Sequence, residues 1–352
     1  MMRIADMDPV LFCAKIKETY PKKPVILLAF DESEIKELPE DFEKSAIDRV
    51  FIWSGNANVL LAIVKMFEDA MNIRRDIKKA GVRCIILIED SPRYYSLILP
   101  MLYKEISYQV KEMVDKSASD HERLLHMRGR PKILLATSFE EAETYFKRFR
   151  LSTLGIISDI RFSKNGKLDK NAGVKFARWA RSIDPSIPIM LQSKHSNNAE
   201  LAKEVQAHFL YKDSPSLLIE LSEFVVRNFG FGDLIFRTPK GKELIIVSNL
   251  PELIKAIQTV PEESLLYHAK SNHFSNWLAA HGYLGLASQV RHLNHADFKN
   301  SNVHRSYLVD LIENTIKNRK ARQVVEIQQE TFDNTKRFTQ ISGGSLGGKH
   351  AD

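Results

Sequence analysis

From residue 83 onward, short runs of aliphatic and β-branched residues alternate with segments whose apolar positions recur at helical spacing. The runs predict strands at 83–89 (RCIILIE), 132–137 (KILLAT), 154–159 (LGIISD), 188–193 (PIMLQS) and 208–212 (HFLYK). Between and after them the pattern predicts helices at about 93–126, 139–149, 172–183, 197–206 and 215–228. This alternation implies a parallel sheet with helices on both faces. The first helix is longer than a plain strand–helix unit needs. Its second half, VKEMVDKSASDHERLLHMRGR, is highly charged and reads as an extended helix or a helical insertion.

Five such units in one block predict a flavodoxin-like, doubly wound five-stranded α/β domain over residues 80–230, with ligands gathering at the carboxyl ends of its strands. Residues 1–75 repeat the end of this pattern. PVILLAFD (24–31) matches PIMLQSKH (188–195), and RVFIWSGNANVLLAIVKMFED matches HFLYKDSPSLLIELSEFVVRN in spacing, at an offset of about 160 residues. This partial second copy lacks its first two strands and most of the third, so the chain is expected to be truncated at its start. After Phe229, DLIFRTPKGKELIIVS predicts two short strands around a Pro-Lys-Gly turn, and Leu250 to about Phe332 is helical in pattern; residues 233–335 therefore form a small hairpin plus helical segment.

Composition narrows the class without naming a function. The 352 residues are 44% hydrophobic and 27% charged, the balance of a soluble globular chain long enough for two or three domains. Apolar runs such as SLILPML are far shorter than the roughly 20 residues that cross a bilayer, and MMRIADMDPV does not read as a secretory signal, so a cytoplasmic protein is expected. Cys13 and Cys84 stand in apolar segments and read as small buried hydrophobes. The net charge of +7 is compatible with nucleic acid, an anionic ligand or solubility alone.

The polar residues at the strand ends carry the candidate chemistry. The first strand ends in Glu89 and Asp90, the third in Asp159, the fourth in Ser193 and the fifth in Lys212, and a doubly wound sheet brings these ends to one edge. Three carboxylates so placed repel one another unless a cation sits among them, and Mg²⁺ is the hard divalent ion that fits an all-oxygen set. Asp159 can then attack phosphorus, while the ion and the Lys212 ammonium take up charge on the transferring group and Ser193 hydrogen-bonds a phosphoryl oxygen. Taken singly, each residue reads as readily as a strand-end surface charge.

At these positions the sequence resembles the receiver domains of two-component response regulators. The matching features are the acid pair Glu89 and Asp90, Asp159 at the phosphoacceptor position, Ser193 five residues after Pro188, and Lys212 with the aromatic Phe209 three residues earlier. The resemblance implies a histidine kinase or phosphotransfer protein as donor, Mg²⁺ held by Glu89, Asp90 and Asp159, and a switch in which Ser193 and Phe209 move together. Three features depart from the family pattern: Asp213 stands where proline usually follows the lysine, the first helix is long, and the bulky basic Arg161 and His195 lie two residues after Asp159 and Ser193. The last pair implies shielding of an acyl phosphate from water and slow dephosphorylation. In the N-terminal copy Ala29 replaces Ser193 and Trp53 replaces Lys212, and Asp6 and Asp8, placed near the broken third strand, do not restore the site. That copy is expected to be a pseudo-receiver used for packing or homodimer contacts.

Downstream, Tyr267, Phe274, Trp277 and Leu278 recur at helical spacing and read as core, and His268, His273, His281, His292 and His295 read as structural histidines. KNRKAR (317–322) is a basic face that suits solvent or phosphates. The end GGSLGGK offers Gly343, Gly344, Gly347, Gly348 and Lys349 as an incomplete phosphate cradle. With the preceding YHAKSNHFSNWL it resembles the opening of the ATP-binding domain of phosphoenolpyruvate synthase and pyruvate phosphate dikinase, here cut off within 336–352 so that ATP is expected only if the domain continues. The resemblance implies a phosphorylatable regulatory region controlling an attached or partner phosphotransferase. The alternatives are a response regulator whose helical segment binds DNA, and a scaffold that works without phosphorylation.

Overall fold

The computed structural model describes residues 8–36, 46–115, 120–293, 295–319 and 321. Asp8 begins the described chain as a helix cap, its Oδ1 accepting the amides of Val10 and Leu11 at 2.7 and 3.0 Å. It is not part of a broken strand, because the helix α1 (Pro9–Thr19) that it starts has proline in its first turn, where the missing N–H costs nothing. Asp6 lies outside the described residues.

Strand β1 (Ile26–Ala29), the short helix α2 (Glu32–Lys36) and strand β2 (Arg49–Ile52) follow, with β1 and β2 paired in parallel and Ala29 opposite Ile52. Helix α3 (Asn58–Ala80) turns one stripe inward, Val59, Ala62, Met66, Asp69 and Ile73. It stops at Gly81, whose φ of +66° is the left-handed cap that glycine adopts without a Cβ clash.

The main sheet is built from β3 (Cys84–Ile88), β4 (Lys132–Ala136), β5 (Thr153–Asp159), β8 (Ile189–Ser193) and β9 (His208–Tyr211), all parallel in the order β4-β3-β5-β8-β9. Each differs from the expected strand by at most one residue at either end. Helices α4 (Pro92–Asp115) and α5 (Asp120–Arg128) stand where one helix over 93–126 was expected, with 116–119 outside the described residues. The remaining helices are α6 (Phe139–Phe149), α7 (Ala172–Ile183), α8 (Ala199–Glu204) and α9 (Leu217–Asn228). Between β5 and α7 runs a small antiparallel hairpin, β6 (Phe162–Lys164) and β7 (Lys167–Asp169), which the hydrophobic pattern did not predict. Its signal was the Asn165-Gly166 pair, both at positive φ, which suits a tight hairpin turn.

Side-chain alternation along the strands makes two cores. Ile85, Leu87, Ile133, Ile157, Met190 and Leu210 face α4 and α9, joined by Phe51 and Val59 from the N-terminal segment. Ile86, Ile88, Ile156, Ile189 and Leu191 face α6, α7 and α8.

The described residues divide into two compact units, one drawn from 1–234 and 268–293, the other from 235–267 and 294–352. The second unit holds the expected hairpin, β10 (Leu234–Arg237) paired with β11 (Glu243–Val247), its turn closed by the Thr238 amide donating to the Lys242 carbonyl at 2.9 Å. Helix α10 (Leu250–Thr259) starts on a reciprocal cap in which Asn249 accepts the Glu252 amide and Glu252 accepts that of Ser248. Helix α11 (Glu262–Lys270) follows, and helix 301–319 belongs to the second unit. Helices α12 (His273–Ala280) and α13 (Leu284–Arg291) belong to the first. Phe274, Trp277 and Leu278 are buried as their spacing predicted, the Trp277 indole donating to the Gly232 carbonyl at 2.9 Å. Among the described residues no helix is long and apolar enough to cross a membrane. The glycine-rich segment 336–352, with Gly343, Gly344, Gly347, Gly348 and Lys349, lies outside the described residues, as does part of KNRKAR.

Candidate functional site

Strand order and strand period together place the site. The chain winds outward from β3 to β4 on one side and from β5 to β9 on the other, so the direction of winding changes between β3 and β5, the crevice where such sheets hold ligands. Glu89 and Asp90 follow the end of β3, and Asp159 ends β5. Because side chains alternate, Glu89, Asp159, Gln192 and Lys212 continue the rows of Leu87, Ile157, Met190 and Leu210, and so share one face.

Lys212 is the centre of this arrangement. Its side chain is 3% exposed, and its Nζ lies 2.6 Å from Glu89 Oε2 and 3.1 Å from Asp159 Oδ2. The ammonium also sits 4.1 Å from the centre of the Tyr94 ring, a cation–π contact at the start of α4. Burial works against the Lys212 charge, but Glu89 and Asp159 outweigh it and hold its pKa above the ordinary lysine value. Glu89 is fully buried, and burial pushes its carboxyl upward while Lys212 opposes the shift and Asp159 adds to it. Asp90 is raised to about 6, by burial first and by the Asp159 charge second.

The three carboxylates each offer an oxygen within 4.8 Å of the others. Both Glu89 oxygens already have partners: Oε1 accepts the Ser91 amide at 3.2 Å, and Oε2 accepts Lys212 and the Gln192 side-chain amide at 3.1 Å. Asp159 Oδ1 accepts the Ile160 amide at 2.8 Å, leaving Oδ2 toward Lys212. An all-oxygen set with crowded negative charge and upward-shifted carboxyls fits a hard divalent cation such as Mg²⁺. The residues that would hold it are Asp90 and Asp159, with Glu89 in support.

Ser193 ends β8 on the other row. Its buried Oγ accepts the His195 amide at 3.1 Å and the Asn198 side-chain amide at 2.8 Å. Phe209 is opposite Leu191 and packs, half-buried, against the core under α7 and α8. The structure thus brings Glu89, Asp159 and Lys212 into direct contact and places Ser193 and Phe209 on the opposite face of the same strand ends. Arg161 and His195 are exposed.

Gln192, Tyr94 and Asn198 were not picked out from the sequence. Gln192 was legible in principle, since it lies on the same strand row as the acids and the lysine; it is fully buried and its Oε1 has no hydrogen-bond partner among the described residues. Tyr94 and Asn198 come from a helix start and a 3-10 turn, where no strand period points to them.

Close packing also fixes Asp159. At Gly173 an added Cβ would stand 2.1 Å from the Asp159 carbonyl oxygen and 2.9 Å from Ile160 Cα. The Gly173→Ala variant is therefore expected to lose about 1–3 kcal/mol of stability and to displace Asp159. Thermal unfolding reads this directly, and an unchanged melting temperature would remove the close-approach argument.

No family model matches the sequence, and no curated protein matches it. Among solved structures the chain has a weak structural neighbour, the crystal structure of a response regulator receiver domain protein from Clostridium thermocellum. The two are 19% identical, with a TM-score of 0.30, over 41% of this chain and 91% of that chain.

Proposed function

We propose that this chain is a phosphoacceptor regulatory protein in which the Asp159 carboxylate takes a phosphoryl group from a histidine kinase or phosphotransfer protein. The observation that carries the reading is a buried ammonium, Lys212, bridging Glu89 and Asp159 beside a third carboxylate at the crevice where the winding reverses. In the step, an Asp159 oxygen attacks phosphorus and forms the P–O bond of an acyl phosphate. The donor's P–N bond breaks, and its electron pair leaves with the imidazole. Lys212 is held to take up charge on the phosphoryl oxygens, and Ser193 is the hydroxyl available on the next strand. Mg²⁺, when bound, supplies further positive charge there.

Acetyl phosphate tests the reading without a protein donor. Incubation with Mg²⁺ is expected to add one phosphoryl group to the native chain and none to Asp159→Asn, read by intact mass. No gain in either chain favours a phosphorylation-independent scaffold. Removal of Mg²⁺ by a chelator is expected to stop the reaction.

Exposed Arg161 and His195, two residues after Asp159 and Ser193, are expected to slow hydrolysis of the acyl phosphate. Replacing both with alanine should shorten its half-life several-fold, and an unchanged decay rate counts against that role.

The N-terminal segment reads as a degenerate second copy. Its support is the pairing register: Ala29 ends β1 as Ser193 ends β8, and the next-strand amides of Trp53 and Lys212 donate to their carbonyls at 2.7 and 2.9 Å. With Ala29 and Trp53 in those places, the copy has neither hydroxyl nor ammonium to offer. Control of an attached or partner ATP-binding phosphotransferase completes the reading, on the sequence of 343–349 alone. The attached form requires the natural gene to run on past Asp352 into ATP-binding sequence, and an in-frame stop there sinks it.

A further inference from the structure

At the opposite end of the main sheet, the residues that precede the strands enclose a cavity of about 380 Å³. Arg83, just before β3, and Arg291, at the end of α13, line its interior, and Lys147, Arg148 and Arg150 stand at its exposed edge. No aspartate or glutamate lines it. Arg83 is 6% exposed; its Nη1 donates to the Leu151 carbonyl at 2.5 Å, but its buried Nε has no hydrogen-bond partner among the described residues. Burial pulls the Arg83 guanidinium down to about 10, and the neighbouring Arg291 charge adds to the shift. Arg291 donates to Asn276 Oδ1 at 3.2 Å and to the Arg150 carbonyl at 3.4 Å, and the carboxylate near it, Asp184 at 3.4 Å, is not among the residues that line the cavity.

Two like charges held together out of water, one with an unused donor, are a costly arrangement for packing alone. An anion between them removes both costs. Asp184 offsets Arg291 and Glu143 pairs with Lys147 at 3.1 Å, but among the described residues no carboxylate pairs with Arg83, Arg148 or Arg150, and a phosphate dianion accepts several charge-assisted hydrogen bonds from such forked donors. Phe149, Leu151 and Ile77 give the cavity an apolar wall, and its volume lies within the roughly 300–1,000 Å³ of small-molecule sites. We infer that this cavity binds a small phosphate-bearing anion, either free phosphate or a phosphate monoester whose organic part lies against the apolar wall. The inference does not depend on phosphorylation of Asp159, because the site lies at the other end of β3, about 20 Å along the strand.

The test is thermal unfolding of the full chain without Mg²⁺, in an Asp159→Asn background, with inorganic phosphate, with AMP as a phosphate monoester, and with sodium chloride at matched ionic strength. A saturable rise in melting temperature with phosphate or AMP, absent with chloride, is expected from preferential binding to the folded state. A larger effect of AMP assigns the monoester, and an equal effect assigns free phosphate. Arg83→Met is expected to abolish the rise. General stabilisation by an excluded salt would persist in that variant. Should Arg83→Met fail to fold, the exposed pair Arg148→Ser and Arg150→Ser decides the matter, with an expected weakening of about tenfold in apparent affinity. Two results overturn the inference: no rise beyond chloride in the parent chain, or a rise undiminished in the variants.

Discussion

Replacing Lys212 with methionine is expected to abolish phosphoryl incorporation at Asp159 and to destabilise the fold by about 3–5 kcal/mol at neutral pH. The side chain is nearly fully buried and pairs with Glu89 and Asp159 at 2.6 and 3.1 Å, so its loss leaves a fully buried and a largely buried carboxylate without their counter-charge. Glu89 bears most of the cost, being fully buried with its carboxyl already pushed upward by burial. Without Lys212 to oppose that shift, its folded-state pKa rises further. A group whose pKa is raised in the folded state stabilises that state below its unfolded pKa and loses the contribution as pH rises through the folded value. The methionine variant should therefore approach the native chain in stability near about pH 5 and fall away from it toward about pH 8. Urea unfolding at the two pH values reads the difference, and a pH-independent penalty would contradict the assignment. Adding Glu89→Gln should recover much of the stability without recovering phosphorylation, since the ammonium beside Asp159 is still missing.

Four of the five main-sheet strands, β3, β4, β5 and β8, were legible because both their faces are buried. An uninterrupted apolar run such as CIILI needs no help from period or turn chemistry to be recognised. The acids at 89, 90 and 159 and the lysine at 212 stood out because each abruptly ends such a run. The hairpin at 162–169 did not stand out, because its strands are three residues each and β7 is mostly exposed. Helix α1 was missed for a related reason: only Cys13 of its eleven residues is buried, so no apolar stripe marks it, and its proper signal was the Asp8-Pro9 start. Gln192 shows the limit of reading residues by type. It is neither charged nor a usual nucleophile, and its place in the site follows from strand parity. The basic cavity was beyond reach for a different reason, since Arg83, Arg150 and Arg291 come from three distant parts of the chain and converge only through packing.

Asp69→Ala is expected to cost about as much stability as the Lys212 change, roughly 3–5 kcal/mol, while leaving phosphorylation of Asp159 intact in the fraction that stays folded. Asp69 is fully buried on α3 and is the carboxylate of a second charged cluster. It accepts the Tyr103 hydroxyl at 3.0 Å, the Ile133 amide at 2.9 Å and Arg130 Nη1 at 3.2 Å, and Lys132 lies at 3.5 Å. Strand β4 is the edge of the main sheet, and Ile133 presents one of its unpaired amides outward. Asp69 satisfies that amide, so α3 covers an edge that would otherwise stand open to another strand. Alanine leaves the amide and the phenol without their acceptor and Arg130 without its carboxylate, whereas Lys132 keeps Asp76 at 3.1 Å. Asparagine retains an acceptor for the amide and should cost less than alanine. The alanine variant should melt roughly 10 °C lower, and below that transition acetyl phosphate should still add one phosphoryl group. Loss of that reaction in well-folded protein would show that the α3 edge contact reaches Asp159; its retention separates the two buried ion clusters, one holding the sheet edge and the other holding Asp159.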